Sequence, residues 1–163
     1  MVIYLAADHA GFQLKQKIKS FLIEEKYEVK DFGALEYDKD DDYPDYIKKA
    51  AEKISENPED RAIIFGGSGQ AEAMTANRFK NVRAAVFYGP VRAQEVVEIT
   101  GRKSDDLFEI IRLSREHNDS NVLSLGVRFL KPDEAIKAVD LWLTIPFPGE
   151  ERHVRRIKKI DNK

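Results

Sequence analysis

Residues 62–78 read AIIFGGSGQAEAMTANR. A short apolar run rich in isoleucine meets three glycines and a serine, and a helix-forming segment follows. A strand that runs into a glycine turn and then a helix is a building unit of parallel α/β sheets. The N–H groups of such a turn can hold a negative oxygen. One residue fits that reading poorly. Glu72, in the first helical turn, puts a carboxylate where a bound phosphate would be repelled.

The alternation extends in both directions. Val2–Ala7 is a continuous apolar run, as expected of a strand buried on both faces. Gly11–Lys26 places Leu14, Ile18, Phe21 and Leu22 at helical spacing. Tyr27–Phe32 alternates like an edge strand, and an acidic loop leads to Pro44, which opens a helix through about Ser55. Arg61–Phe65, Val82–Tyr88 and Asn121–Leu125 supply three more strands. Gly69–Arg78 reads as helix, and the region from Pro90 to Arg115 reads as an extended helical insertion (around 89–115) interrupted at TGRKSDD. Pro132–Leu143 is amphipathic, and residues 150–160 form a short basic helix. The expectation is one domain over 1–163. It is a three-layer, doubly wound, Rossmann-like α/β fold: five parallel strands with helices on both faces. In such a sheet every strand's C-terminal end lies on one edge, where ligands bind. The segments just past those ends are DHAG, GGSGQAE, YGPVR and LGVR.

Composition removes several classes of function. A formal charge of −2 gives no field that favours nucleic acid or an anionic membrane. There is no cysteine, so disulfides, thiolate metal sites and a cysteine base are excluded. No apolar run is long enough to span a bilayer, and the N-terminus lacks a basic n-region, so a cytoplasmic location is expected.

Two nucleotide motifs fail at the glycines. No lysine follows them as in a P-loop, and Glu72 takes the third glycine position of the dinucleotide pattern. Two readings of Glu72 remain. It complements the helix dipole, or it is a general base beside an oxyanion site. The chain has three histidines, His9, His117 and His153, without the spacing of a zinc motif. Each can be an ordinary loop residue. Alternatively, Asp8 beside His9 and His117 beside Asn118 supply acid–base groups near neutrality. In the basic tail, Arg152 and Arg156 are four apart and share one helix face. Two guanidinium groups there suit a phosphate dianion, and Arg128 after the fifth strand could join them.

Taken in order, ADHAGFQLK, DYPDY, GGSGQAEAMTANR, VRAA, REHNDSNVLSLG and RHVRRI resemble the type B ribose-5-phosphate isomerase family, which includes galactose-6-phosphate isomerase subunits. The resemblance covers almost the whole chain. It implies a homodimer, sometimes paired into tetramers, that isomerises sugar phosphates through a cis-enediolate with no metal or cofactor. Ribose 5-phosphate to ribulose 5-phosphate is the reaction implied first. A hexose 6-phosphate, an unusual pentose phosphate, or a non-catalytic phosphosugar-binding role are the alternatives. Many members carry a cysteine base where this chain has Gly66, and a second branch uses a glutamate at the position of Glu72. This chain resembles that branch. The resemblance makes Glu72 the C1–C2 proton carrier. Ser68, Gly66, Gly67 and Gly69 then hold the sugar and its oxyanion. Asp8 and His117 open the ring, Asn118 binds the sugar, and Tyr43 lines the pocket. His9, Arg128, Arg152 and Arg156 hold the phosphate, with the tail arginines reaching across the dimer.

Three departures from the family pattern stand out. Ala71 replaces the glycine before the glutamate, and Val127 stands where a second glycine is common. The connection from the fourth strand to REHN is also much longer than usual, with apolar Val96, Val97, Ile99, Leu107, Phe108, Ile110 and Ile111.

Overall fold

The computed structural model describes residues 1–162. Five strands form one sheet: β1 (Val2–Ala7), β2 (Glu28–Asp31), β3 (Arg61–Gly66), β4 (Ala84–Phe87) and β5 (Val122–Gly126). Their order is β2-β1-β3-β5-β4, and every pair is parallel. Six helices are present among the described residues: α1 (Phe12–Glu24), α2 (Tyr43–Glu56), α3 (Gln70–Ala76), α4 (Glu109–Glu116), α5 (Pro132–Thr144) and α6 (Glu151–Asp161). No helix among the described residues is long and apolar enough to cross a membrane.

The period of two along each strand divides the core. Ile3, Leu5, Ile63, Phe65, Leu123 and Leu125 point to one face, where α1, α4 and α5 bring Ile18, Ile111 and the fully buried Trp142. Tyr4, Ala6, Ala62 and Ile64 point to the other, where α2 and α3 bring Ile47, Ile54 and Ala76. The central strands are apolar on both faces because both are covered, as the sequence expects. β4 at one edge is different: Ala84, Ala85 and Val86 are only half-buried.

The chain leaves β1 on the α1 face and leaves β3 on the α3 face. These neighbouring strands therefore open a crevice where their connections diverge, the usual ligand position in such sheets.

The helical expectation for residues 89–115 is only partly met, since helix there is confined to Glu109–Glu116. Residues 88–108 instead form an irregular loop whose ends meet, with Val91 N–H donating to Leu107 O at 2.8 Å. Pro90 lacks an N–H, Gly101 sits at φ +86°, and Val97 N–H turns back onto Arg102 O. The apolar residues offer no continuous face to bury: Val96 is 49% exposed and Ile99 87% exposed. Polar bridges hold the segment instead. Arg102 Nη2 donates to Glu98 at 3.0 Å and to buried Glu109 at 2.7 Å.

Candidate active site

The glycine loop is pinned between strands. Val127 N–H donates to Gly66 O and Arg128 N–H to Gly67 O, which carries the β3–β5 contact past the ladder. Gly69 caps α3 at φ +76°, and Ser124 Oγ donates to its carbonyl at 2.6 Å. Gly126 must also lack a side chain, because a Cβ there would lie 2.6 Å from Ser68 O. Ser68 itself is exposed, with Oγ accepting from Gln70 N–H at 3.4 Å.

Glu72 does more than complement a short helix. Its carboxylate folds back over Gly66, and any Cβ at residue 66 would collide with it. The residue is 4% exposed, and Oε2 finds no hydrogen-bond partner among the described residues. Burial pushes its carboxyl above the usual range, and the nearby Asp8 charge adds to the shift. A buried, proton-avid carboxylate beside loop amides is suited to take a proton from carbon while an oxyanion forms.

Asp8 follows β1 and is also buried; its Oδ1 accepts from the N–H groups of Ala10 and Gly11. His9 is held by a residue that the sequence reading missed. Both its backbone N–H (3.0 Å) and its Nδ1 (2.7 Å) meet Oδ1 of Asp41. That hydrogen bond raises the His9 pKa, while Arg128 nearby opposes it. The Arg128 guanidinium lies over Gly67, where a Cβ would come within 3.1 Å of Cζ. His9 and Arg128 therefore stand together beside the loop. Asp8, His9 and Asp41 also form a set whose ligand atoms lie within 4.8 Å of one another. A metal ion there would have to break the His9–Asp41 bond. Tyr43 opens α2 and lines a neighbouring cleft with Ala71, Met74 and Arg78.

The pairing makes a prediction. Asp41→Asn should move the His9 titration midpoint down, read by NMR of the ring protons against pH. Because the folded pKa is raised, the pair stabilises the fold most below the unfolded histidine value of about 6.5. That contribution is lost as pH rises through the folded value, so the stability gap between wild type and variant should close at higher pH. A midpoint that does not move would refute the pairing.

The remaining expected residues form a second group elsewhere. His117 caps the C-terminal end of α4, Asn118 follows it, and Arg152 and Arg156 lie on α6. The His117 ring stacks on buried His153 at 4.2 Å between centroids, and Nε2 of His117 lies 3.8 Å from Glu98 Oε1. Burial, followed by the charges of His117 and Arg152, pushes His153 below the usual histidine range. A cleft of about 430 Å³ runs between the 96–99 loop, His117 and the two arginines. Arg83, at the start of β4, donates to Asn118 O and Asp119 and pairs with Asp161, which anchors α6.

The two groups sit at opposite edges of the sheet. Asp8, the glycine loop and Arg128 follow the ends of β1, β3 and β5, whereas His117 and Asn118 precede β5. A strand of five or six residues spans roughly 16–20 Å. No hydrogen bond or ion pair joins the two groups among the described residues. One copy of the chain does not bring its own Asp8 and His117 together.

Comparison with known proteins gives consistent results. A family model described as ribose/galactose isomerase matches residues 3–101 and 108–160, and the gap falls inside the long connection. Ribose-5-phosphate isomerase B of Mycolicibacterium paratuberculosis is 36% identical over 157 residues, 96% of this chain and 87% of that protein. A probable ribose-5-phosphate isomerase B of Mycoplasma pneumoniae is 37% identical over 158 residues, 97% of this chain and 91% of that protein. Among solved structures, ribose-5-phosphate isomerase B of Mycoplasma genitalium with bound ribulose-5-phosphate superposes with a TM-score of 0.85 at 34% identity, over 99% of this chain and 94% of that one.

Proposed function

We propose that this chain, which belongs to the ribose/galactose isomerase family, interconverts ribose 5-phosphate and ribulose 5-phosphate through a cis-enediolate. One observation carries the catalytic assignment: Glu72 is buried over Gly66 with a free carboxylate oxygen beside the loop amides. Glu72 takes the C2 proton of the open-chain aldose. The C–H electron pair forms the C1–C2 double bond, and charge collects on O1. The N–H groups around Gly67, Ser68 and Gly69 stabilise that oxyanion. After a proton moves from O2 to O1, Glu72 returns its proton to C1 and the ketose results.

Substrate grip and ring opening divide between the two groups. His9 and Arg128 meet the phosphate from one side, and Arg152 and Arg156 of a second copy meet it from the other. Asp8 and the second copy's His117 open the ring, and Asn118 binds the sugar. The opposite placement of the two groups supports a homodimer with shared sites, and pairing of dimers into a tetramer is compatible with it. The half-buried face of β4 offers apolar surface for such contact. Phosphate esters do not cross membranes unaided, so a cytoplasmic location belongs to the same reading.

The test is NMR of ribose 5-phosphate with wild-type protein in deuterated water. Conversion to ribulose 5-phosphate with deuterium at C1 is the expected result. If ribose 5-phosphate stays inert while a hexose 6-phosphate turns over, the pentose assignment is wrong. If the sugar phosphate binds with no exchange, the chain is a binding protein and not an isomerase.

A further inference from the structure

The long connection brings one carboxylate into the second group, and the reading above leaves it without a role. Glu98 Oε1 stands 3.8 Å from Nε2 of His117, an ion-pair distance. Its position is not accidental surface geometry. Arg102 grips the same oxygen through Nε at 3.1 Å and Nη2 at 3.0 Å. Arg102 is in turn anchored to Glu109, which is 3% exposed and also accepts from Ser104 Oγ at 2.6 Å. A chain of contacts therefore runs from the buried start of α4, through Arg102, to the imidazole at the helix's other end.

His117 is fixed from other directions too. Its backbone N–H donates to Leu113 O, its ring rests on His153, and Arg152 approaches from α6. Stacking sets the ring plane but leaves the ring free to rotate within that plane, and it does not select a nitrogen. A carboxylate charge 3.8 Å from Nε2 favours one rotation of the ring and a proton on that nitrogen, although the distance is longer than a hydrogen bond. The hydrogen bond or ion pair at one ring nitrogen decides which nitrogen is free for chemistry.

We propose that Glu98 is a positioning residue for ring opening: its charge draws the Nε2 side of the His117 ring toward the 96–99 loop, so that Nδ1 faces the sugar as the proton donor. The inference rests on the reading of His117 as a ring-opening residue. In that step, Asp8 of a second copy takes the proton of the anomeric hydroxyl. The O1–H electrons form the C1 carbonyl, the bond from C1 to the ring oxygen breaks, and the ring oxygen takes the Nδ1 proton of the imidazolium. The His117 that remains is neutral and keeps its Nε2–H toward Glu98.

The chemistry provides an internal control. Ribose 5-phosphate is a ring that must open. Ribulose 5-phosphate cannot form a furanose ring, because its C5 oxygen is esterified. Exchange of the C1 proton of ribulose 5-phosphate with deuterated water therefore needs Glu72 and the oxyanion loop but no ring opening. In Glu98→Gln, turnover of ribose 5-phosphate should fall about tenfold or more, within the range of a positioned acid or base. Exchange at C1 of ribulose 5-phosphate should stay within about twofold of wild type, a difference near the limit of steady-state comparison. Ring-nitrogen NMR of His117 provides a second readout, with the proton fixed on Nε2 in wild type and shared between the nitrogens in the variant. Three outcomes would overturn the proposal: equal loss in both reactions, no loss in either, or unchanged ring-nitrogen shifts. Absence of exchange by wild type would instead remove the isomerase reading itself, so the two failures are distinguishable.

Discussion

Glu72→Gln is expected to lower kcat about a thousandfold while KM changes only a few-fold, because a positioned general base contributes roughly 10²–10⁴ in rate. Glutamine keeps the shape that packs over Gly66, so the loop and its amides stay in place. It cannot accept a proton from carbon. No cysteine exists to take over. Steady-state kinetics together with deuterium exchange would settle it, since both must collapse together. A near-wild-type exchange rate would remove Glu72 from the proton-transfer step. The variant should also melt no lower than wild type at neutral pH. The folded pKa of Glu72 is raised, so the folded state binds the proton more tightly than the unfolded chain. Stability is then lost as pH climbs from the unfolded value toward the folded one. Glutamine never ionises and escapes that cost, a trade of stability for activity common at catalytic groups.

Much of this was legible in the chain. The apolar runs of β1 and β3 announce strands covered on both faces, and the glycines after β3 announce a turn whose N–H groups can meet a negative oxygen. The structure adds a packing reason for one of them: a Cβ at Gly69 would lie 3.0 Å from Gly126 N, at the end of β5. The position of Glu72 was also visible, but its function depends on Gly66 leaving room, a contact between residues six apart on either side of a turn. What the sequence could not display is pairing across the fold. Asp41 and His9 are 32 residues apart, and neither hydropathy nor helical spacing links them. Glu98 and His117 meet only because the 88–108 segment doubles back along α4, where apolar spacing instead suggested helix. There the backbone followed Pro90, Gly101 and the bridges of Arg102, and Ile99 was left to solvent. Periodicity predicts a helix when one face has a core to meet, and in this segment only its last residue, Phe108, joins the core.

The separation of the two residue groups leads to the second large effect, restoration of activity by mixing two inactive chains. One chain carries Glu72→Gln; the other carries Arg152→Ala and Arg156→Ala, which removes half of the phosphate grip. Each alone should be nearly inert at substrate levels near the wild-type KM. Refolded together in equal amounts, half of the dimers are mixed. In a two-fold dimer with shared sites, each mixed dimer pairs one doubly damaged site with one fully wild-type site. The expected activity is therefore about one quarter of an equal amount of wild type. If each site were built from a single chain, every site in the mixture would carry one lesion and nothing would be restored. The geometry favours the first result: Arg152 and Arg156 lie near His117 at one edge of the sheet, while Glu72 lies past the other. No motion short of unfolding carries a side chain around a strand that is hydrogen-bonded on both sides, as β5 is by β3 and β4. A second copy is the simplest way for both groups to reach one substrate, and the mixing experiment measures that sharing directly.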